Sequence, residues 1–337
     1  MSLPQGHPSV NYGKTGVLLV NLGTPAAPTA AAIRPYLKQF LSDNRVIETP
    51  ALIWQPILRG IILNIRPQKS AKAYKKIWRE ESNESPLRYF TRQQAEALAQ
   101  RLDGDCNVYW AMRYGAPSID SQLEAMRANG CDRIFVIALY PQYSATTSAS
   151  VYDEVFRCLM RMRWQPAIRT APPWHDHPAY IAALAKSLKE KLKSIAWQPD
   201  KIIASYHGLP QAYFDKGDPY HCHCYKTTRL LREHLAYTEE QMITTFQSRF
   251  GPTKWLEPYT DKTVIAMAEQ GTKRLLVITP GFISDCVETL EEISIELAHT
   301  FTTHGGEACA TVACLNDSTI GIDLLEDLCR RELGGWI

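Results

Sequence analysis

Short apolar runs stopped by glycine or proline alternate along the chain with longer stretches whose apolar residues fall three and four apart. The first pattern marks buried strands and the second amphipathic helices. GVLLVNLG at 16–23 reads as a buried strand running into a Gly-Thr-Pro turn, and after Pro28 a helix turns Ile33, Tyr36, Leu37, Phe40 and Leu41 inward. The same patterns predict strands at 107–112, 133–139, 201–206, 242–246 and 274–279. Helices are expected at 70–78, 91–102, 118–128, 179–195, 227–234, 260–270 and 320–333, with Ser85-Pro86-Leu87 breaking the chain before 91–102. Strands alternating with helices of this length imply βαβ units and a mostly parallel sheet, an α/β fold.

Part of this pattern occurs twice. Residues 16–25 superpose on 201–210, setting Leu22 on His207, Gly23 on Gly208 and Pro25 on Pro210, and GCDRIFVI at 130–137 lies on GTKRLLVI at 271–278. Self-similarity at so long a period points to two copies of one α/β unit with a cleft between them. The expected division is 16–165 plus the terminal helix at 318–337 for one domain and 166–317 for the other.

Composition narrows the function classes. A chain of 337 residues with 21% charged residues and a formal net charge of +2 carries no electrostatic footprint for nucleic acid. Nine cysteines, an odd number scattered through a chain that needs no disulfides, fit free thiols in a reducing compartment. Met1–Lys14 has no basic segment followed by an apolar one, so a secretory leader is not expected and the cytoplasm is. ALIWQPILRGIILNI at 51–65 is too short to span a bilayer and contains Gln55, Pro56 and Arg59. Trp54, Ile57, Leu58, Ile61 and Ile62 recur near helical spacing there. Core packing is the first reading of that stretch, and an exposed lip facing a membrane surface or an apolar pocket is the second.

The candidate chemistry lies at strand ends. The run Ile202–Tyr206 delivers His207 and stops at Gly208 and Pro210, placing a titratable imidazole where α/β sheets bind ligands. The strand at 274–279 leads through PGFISDCV into a helix with Glu288, Glu292 and Glu296 four apart and Glu291 between them. Like charges at that spacing weaken a helix, so the ladder reads either as a solvated face or as hard oxygen ligands that relay a divalent cation. Imidazole with carboxylate suits Fe(II) and is also a general-base pair. No GxGxxG or Walker loop occurs, so a nucleotide cofactor is not expected. His221-Cys222-His223-Cys224 is spaced more tightly than ordinary zinc ligands, and in an extended segment its alternate residues point apart.

The motifs Leu19-Val20-Asn21-Leu22-Gly23-Thr24-Pro25, Tyr140-Pro141-Gln142-Tyr143-Ser144, Ser205-Tyr206-His207-Gly208-Leu209-Pro210, Thr245–Gly251, Trp255–Asp261 and Pro280–Leu290 occur in order. With them the chain closely resembles bacterial ferrochelatases, from about Gly16 to the terminal helix. The resemblance implies two similar Rossmann-like domains, with parallel sheets flanked by helices, around a porphyrin cleft. It implies insertion of Fe(II) into protoporphyrin IX, with iron as substrate and two protons released. It carries over His207 and Glu288 as the catalytic pair, and His207, Glu288, Glu292 and Glu296 as the groups that meet the metal. It also gives Leu22, Arg66, Tyr74, Ser85, Arg113 and Tyr114 as porphyrin or cleft contacts, with Trp255 and Phe282 as apolar walls. A [2Fe–2S] cluster of the animal type is not expected, because Ala145 stands where one ligand would and the cysteine-rich extension is missing; a cluster drawing on Cys222 and Cys224 is left open. The alternatives are a chelatase for another metal or tetrapyrrole and a haem- or metal-binding protein without turnover. Peripheral contact with the inner face of the cell membrane through the lip is open, as is the oligomeric state.

Overall fold

In the computed structural model, residues 5–7 and 10–337 are described, so part of the Met1–Lys14 segment read for a leader lies outside them. β1 (Lys14–Gly23), β2 (Asn107–Tyr114), β3 (Cys131–Ala138) and β4 (Ala167–Thr170) form one sheet in the order β2-β1-β3-β4. β5 (Lys201–His207), β6 (Met242–Gln247), β7 (Arg274–Ile278) and β8 (Ala308–Thr311) form the other in the order β6-β5-β7-β8. All pairings between these strands are parallel. Gly16 pairs with Ile134 and Leu18 with Val136, while Lys201 pairs with Leu275 and Ile203 with Val277. Those are the pairs the two superposed sequence segments lay on one another. The duplication therefore holds residue by residue in register.

Parallel strands covered by helices on both faces must be apolar throughout, which is why the central strands read as unbroken runs. Leu18 and Val20 pack with Ile134 and Val136 against the helices Ile119–Ala128 and Ser150–Leu159. Val17 and Leu19 pack with Phe135 and Ile137 on the opposite face, against Leu98 and Leu325. In the second half, Ile202, Ala204 and Tyr206 face Leu184 and Leu231, whereas Ile203, Leu275 and Val277 face Val264, Leu297 and Phe301. The last helix, Thr319–Glu332, serves both halves: Ile322, Leu325 and Cys329 join the first core, and Leu324 and Leu328 join the second.

Several expectations change. β4 pairs with β3, so the first sheet continues past residue 165, where the sequence reading divides the chain. β4 and β8 were not anticipated, nor was the helix Ser150–Leu159. Ser85 and Pro86 start a helix rather than break the chain: the Ser85 hydroxyl accepts the Arg88 N–H at 3.2 Å and the helix runs Pro86–Arg101. The His221–Cys224 run lies in the first turns of the helix Tyr220–Leu235, not in an extended segment. The lip is a helix Ala51–Ile57, a π-helical turn Leu58–Ile62 and a helix Leu63–Ile77. Of the residues at helical spacing, Leu58 is core and Trp54 and Ile62 pack against it, whereas Ile57 and Ile61 are exposed, as are Leu52 at 92%, Ile65 at 67% and Ile53 at 59%, so the core reading holds for one face of this stretch and fails for the other. No helix among the described residues is long and apolar enough to cross a membrane.

Gly23, where β1 enters the cleft, has φ +112°, and a Cβ there would sit 1.8 Å from the Tyr114 carbonyl oxygen. Gly217 has φ +94° with nothing within 4 Å. Gly23→Ala is expected to lower unfolding stability by about 3 kcal/mol or more, and Gly217→Ala by only about 1–2 kcal/mol. Urea denaturation of both variants tests the difference.

Candidate active site

β1 and β5 occupy equivalent places in their sheets, and both end at the cleft. β5 ends at half-buried His207, whose Nδ1 lies 2.7 Å from the Gly208 carbonyl oxygen. A carbonyl only accepts, so Nδ1 carries the hydrogen and the neutral ring keeps its lone pair on Nε2. Gly208 has no room for a side chain: a Cβ would lie 2.7 Å from the Gln247 carbonyl oxygen and 3.2 Å from Trp255 Cε3. The backbone after the histidine is thus pressed against β6 and the indole.

Gln247 is the pairing partner of His207 in β6. Its buried amide donates to the Glu288 carbonyl oxygen at 3.2 Å and to Glu292 Oε2 at 3.4 Å, and its Oε1 accepts the Ser205 hydroxyl at 2.7 Å. The next residue, Ser248, donates its N–H to Glu292 Oε1 at 2.8 Å and its hydroxyl to Glu292 Oε2. Burial pushes the Glu292 carboxyl above its ordinary value, Ser248 and nearby His207 pull it back, and Glu288 adds to the rise; the net shift is upward.

The segment Glu288–Leu297 is a π-helix, not the α-helix on which the spacing of four was judged. Its wider turn spreads the acids. Glu288 enters a cavity, Glu292 is held by Ser248, and the Glu296 side chain is 61% exposed with Lys76 at 4.0 Å. Glu291, left out of the ladder, is the buried one, and Lys76 from the other half reaches it at 2.6 Å. Insertions of this kind in helices recur at functional sites.

The cavity holds about 240 Å³ of empty space, and Leu22, Tyr36, Tyr74 and Ser85 of the first half and Cys286 and Glu288 of the second line it. Burial raises the Tyr74 phenol well above its ordinary value, with Glu288 the next cause, and Tyr36 is raised by burial, Tyr74 and Glu288 in that order. Glu288 thus faces tyrosines across the interface between the halves. His207 stands beside Glu292, outside the residues lining this cavity. At the rim, the Arg66 guanidinium lies 4.3 Å from the Phe250 ring centroid, and Trp255, 9% exposed, donates Nε1–H to the Phe250 carbonyl oxygen at 2.9 Å. Phe282 is half-buried in the turn after β7.

Residues 14–333 match the protein-family profile for ferrochelatase. The chain is 56% identical to the ferrochelatase of Agrobacterium fabrum, over 100% of this chain and 98% of that protein. It is 55% identical to the ferrochelatase of Rhizobium meliloti, over 98% of both. The chain belongs to the ferrochelatase family. Among solved structures it resembles SirB from Bacillus subtilis, solved with Fe3+, at a TM-score of 0.56 and 11% identity over 95% of each chain. A similar likeness to DR2241 from Deinococcus radiodurans, with a TM-score of 0.54 and 10% identity, covers 94% of this chain and 55% of that one. These distant likenesses speak for the two-sheet α/β fold.

Not every residue suggested by the ferrochelatase resemblance faces the cavity. Arg113 and Tyr114 are tied into a buried polar knot: Asp43 Oδ2 accepts from Arg113 at 2.6 Å, the Tyr114 hydroxyl at 2.7 Å and the Ser150 hydroxyl at 2.6 Å. Tyr114 is 1% exposed, so its phenol packs the core instead of offering a contact. The Ser85 hydroxyl, although at the cavity wall, caps its own helix. The His221–Cys224 run divides: Cys222 is exposed, Cys224 is buried, and His223 stacks on His175 with centroids 3.6 Å apart. Burial and then His223 push His175 down to about 4. Among the described residues no three His, Cys, Asp or Glu side chains converge as a metal site.

Sequence reasoning missed Gln247, Ser248, Glu291, Tyr36 and Asp43. Only the first two lay in a recognised motif, and no residue pattern assigned them a role.

Burial works to raise the Asp43 carboxyl, but hydrogen bonds from Ser150, Tyr114 and the Arg45 N–H, with the Arg113 charge, bring it below its ordinary value. A depressed folded value means that its contribution is complete above the unfolded value of about 3.9 and is lost as pH falls through the folded one. Asp43→Asn takes the nearer carboxylate from Arg113, whose side chain is 12% exposed and keeps Glu154 at 4.0 Å, and is expected to cost about 1.5–3 kcal/mol. In urea titrations across pH, the variant should also lose less stability below about pH 4 than the parent does.

Proposed function

We propose that the chain inserts Fe(II) into protoporphyrin IX, yielding protohaem and two protons. The observation that carries this reading is the single cavity in which Glu288 of one half meets Leu22 and Tyr74 of the other, with the His207 imidazole at the adjoining strand end. The pyrrole nitrogens of a flat porphyrin hold their lone pairs in the ring plane, so a site that binds a saddled ring opens them to iron and favours the transition state. The two N–H protons then need acceptors. We assign one to His207 Nε2 and the other to the Glu288 carboxylate. Leu22, Trp255 and Phe282 supply apolar walls, and Arg66 is the cation for an anionic substituent of the ring.

Fe(II) is the substrate, approaching along the face that carries Glu292 and Glu296 and meeting His207 and Glu288 at the ring. No nucleotide takes part.

A pocket for a ligand of this size usually measures ~300–1,000 Å³. The cavity at Glu288 leaves room of only about 10 Å³ for the centres of water molecules, so on this reading it is the deep end of the site and the rim moves outward when the ring enters. The rim suits contact with a membrane surface: Leu52, Ile53, Ile61 and Ile65 are exposed on the lip, and Arg59, Lys69 and Lys72 follow without an acidic residue between 51 and 77. On this reading the protein works in the cytoplasm and touches the inner leaflet. A second reading, insertion of another metal or into another tetrapyrrole, draws on the fold shared with SirB.

Protein mixed anaerobically with protoporphyrin IX and Fe(II) should develop haem absorbance; Co(II) with sirohydrochlorin, run beside it, should give no comparable rate. His207→Ala should lower kcat by about 10²–10⁴-fold while porphyrin fluorescence quenching on binding persists. An active His207→Ala would remove the histidine from the mechanism, and faster reaction with sirohydrochlorin would favour the second reading. Sedimentation with vesicles containing phosphatidylglycerol should retain the protein, and the Leu52→Glu/Ile53→Glu/Ile65→Glu variant should stay in the supernatant.

A further inference from the structure

Ser248 is in an unusual backbone state. Its φ of +64° lies in the left-handed region, one of four non-glycine residues among those described to do so. Glycine would adopt that state without strain and would still present the same N–H. What serine adds is a hydroxyl, and that hydroxyl donates to Glu292 Oε2 while the N–H of the same residue donates to Oε1. In this left-handed turn both donors of one residue meet the same carboxylate.

Gln247 completes the grip. It is 3% exposed, its amide nitrogen bridges Glu292 Oε2 and the Glu288 carbonyl oxygen, and its amide oxygen is fixed by Ser205, which in turn bonds Thr260 at 2.9 Å. The chain of contacts runs from the core of the second sheet to the π-helix that carries both acids. A carboxylate offers about four acceptor sites, and three donors here leave one, on Oε1. Glu292 is therefore fixed in direction yet has a lone pair left for a cation.

We propose that Ser248 and Gln247 are positioning residues for iron delivery: they hold the Glu292 carboxylate so that its one free lone pair points into the path Fe(II) takes to the ring. The inference rests on the reading of Glu292 as a group on the iron side. Ligand-holding contacts of this kind commonly change metal handling about 10–100-fold when removed.

Ser248→Gly is the informative variant, because it relieves the backbone and keeps the N–H while deleting only the hydroxyl. In anaerobic steady-state assays it should raise KM for Fe(II) about tenfold, as expected for one lost hydrogen bond to a charged group, and leave KM for protoporphyrin IX within about twofold. Glu292→Gln, measured in parallel, should raise KM for Fe(II) at least as much, and the double variant should be no worse than Glu292→Gln alone. Gln247→Glu, which removes the amide donor and adds a like charge, should shift KM for Fe(II) in the same direction. If Glu292→Gln raises KM for Fe(II) and Ser248→Gly does not, the positioning role is wrong while the iron-side reading of Glu292 stands. If Glu292→Gln leaves it unchanged, that reading fails and the proposal falls with it. A rise in KM for the porphyrin alone in Ser248→Gly would overturn the proposal too, by assigning the hydroxyl to the ring.

Discussion

One carboxylate joins the two halves at the base of the cleft. Asp218 Oδ2 accepts the Ser144 hydroxyl at 2.9 Å and the Ala145 N–H at 2.7 Å, and Oδ1 accepts the Tyr220 N–H at 3.0 Å. Ala145 opens the π-helical turn after β3, and Tyr220 opens a helix of the second half, so a single anion satisfies free N–H groups at two helical starts on opposite sides of the joint. Around it the Gln142 amide reaches the Thr227 hydroxyl at 3.1 Å and the Tyr143 N–H reaches His223 Nδ1 at 3.2 Å. His223 accepts there only while its ring is neutral. A second buried joint sits on the other flank, where Gln94 donates to the Asn316 carbonyl oxygen at 2.8 Å and Asp285 accepts from Asn316 at 2.7 Å. Glu288 follows Asp285 by one helical turn, so this joint sets where the acid enters the cavity.

The rim is built of weaker material. Lys216 pairs with Glu48 across the cleft with both side chains largely in water, and Arg66 lies on the Phe250 ring. Exposed ion pairs contribute ~0–1 kcal/mol each, whereas breaking a buried hydrogen bond to a charged group costs ~1.5–3 kcal/mol. A ligand that needs more room than the closed cavity gives will therefore part the rim before it disturbs the base. On the proposed reading, Glu288, Glu292 and His207 keep their geometry by attachment to the base, and the part that gives way is the lip, whose turn at Leu58–Ile62 is π-helical.

How much of this the sequence displays depends on how local its physical cause is. The central strands were legible because burial on both faces leaves no polar interruption, and the duplication was legible because both copies obey that constraint. β4 (AIRT) and β8 (ACAT) were not, since a four-residue edge strand with half-buried positions carries neither a run nor a clean alternation. The lip was legible on one face only: Trp54, Leu58 and Ile62 meet a core as their spacing suggests, but nothing in the letters tells them from Ile57 and Ile61, which stand in water. Glutamates four apart suggest an α-helical face, and nothing in the letters signals that Glu288–Leu297 winds more widely. The contacts that decide the site's chemistry are remote: Ser248 and Glu292 are 44 positions apart, and Asp43 lies 70 from Arg113. No periodicity links such pairs. The strand-end pattern singled out His207 and Glu288 without help from the family resemblance, which put Arg113 and Tyr114 in the cleft without revealing the aspartate that occupies them.

The repeat also explains why the site is one-sided. Leu22 and His207 end equivalent strands, and each sheet is followed after β3 or β7 by a π-helical segment, Ala145–Ala149 in one half and Glu288–Leu297 in the other. The backbone solution is the same, but the side chains differ. The first half offers leucine and the neutral segment ATTSA, and the second offers imidazole and four glutamates within 288–296. On the proposed reading, a saddled ring between two such walls rests an apolar face on one and tilts its inner N–H groups towards the other. Two copies of one unit thus give a symmetric cleft, and divergence at equivalent strand ends gives it a chemical direction.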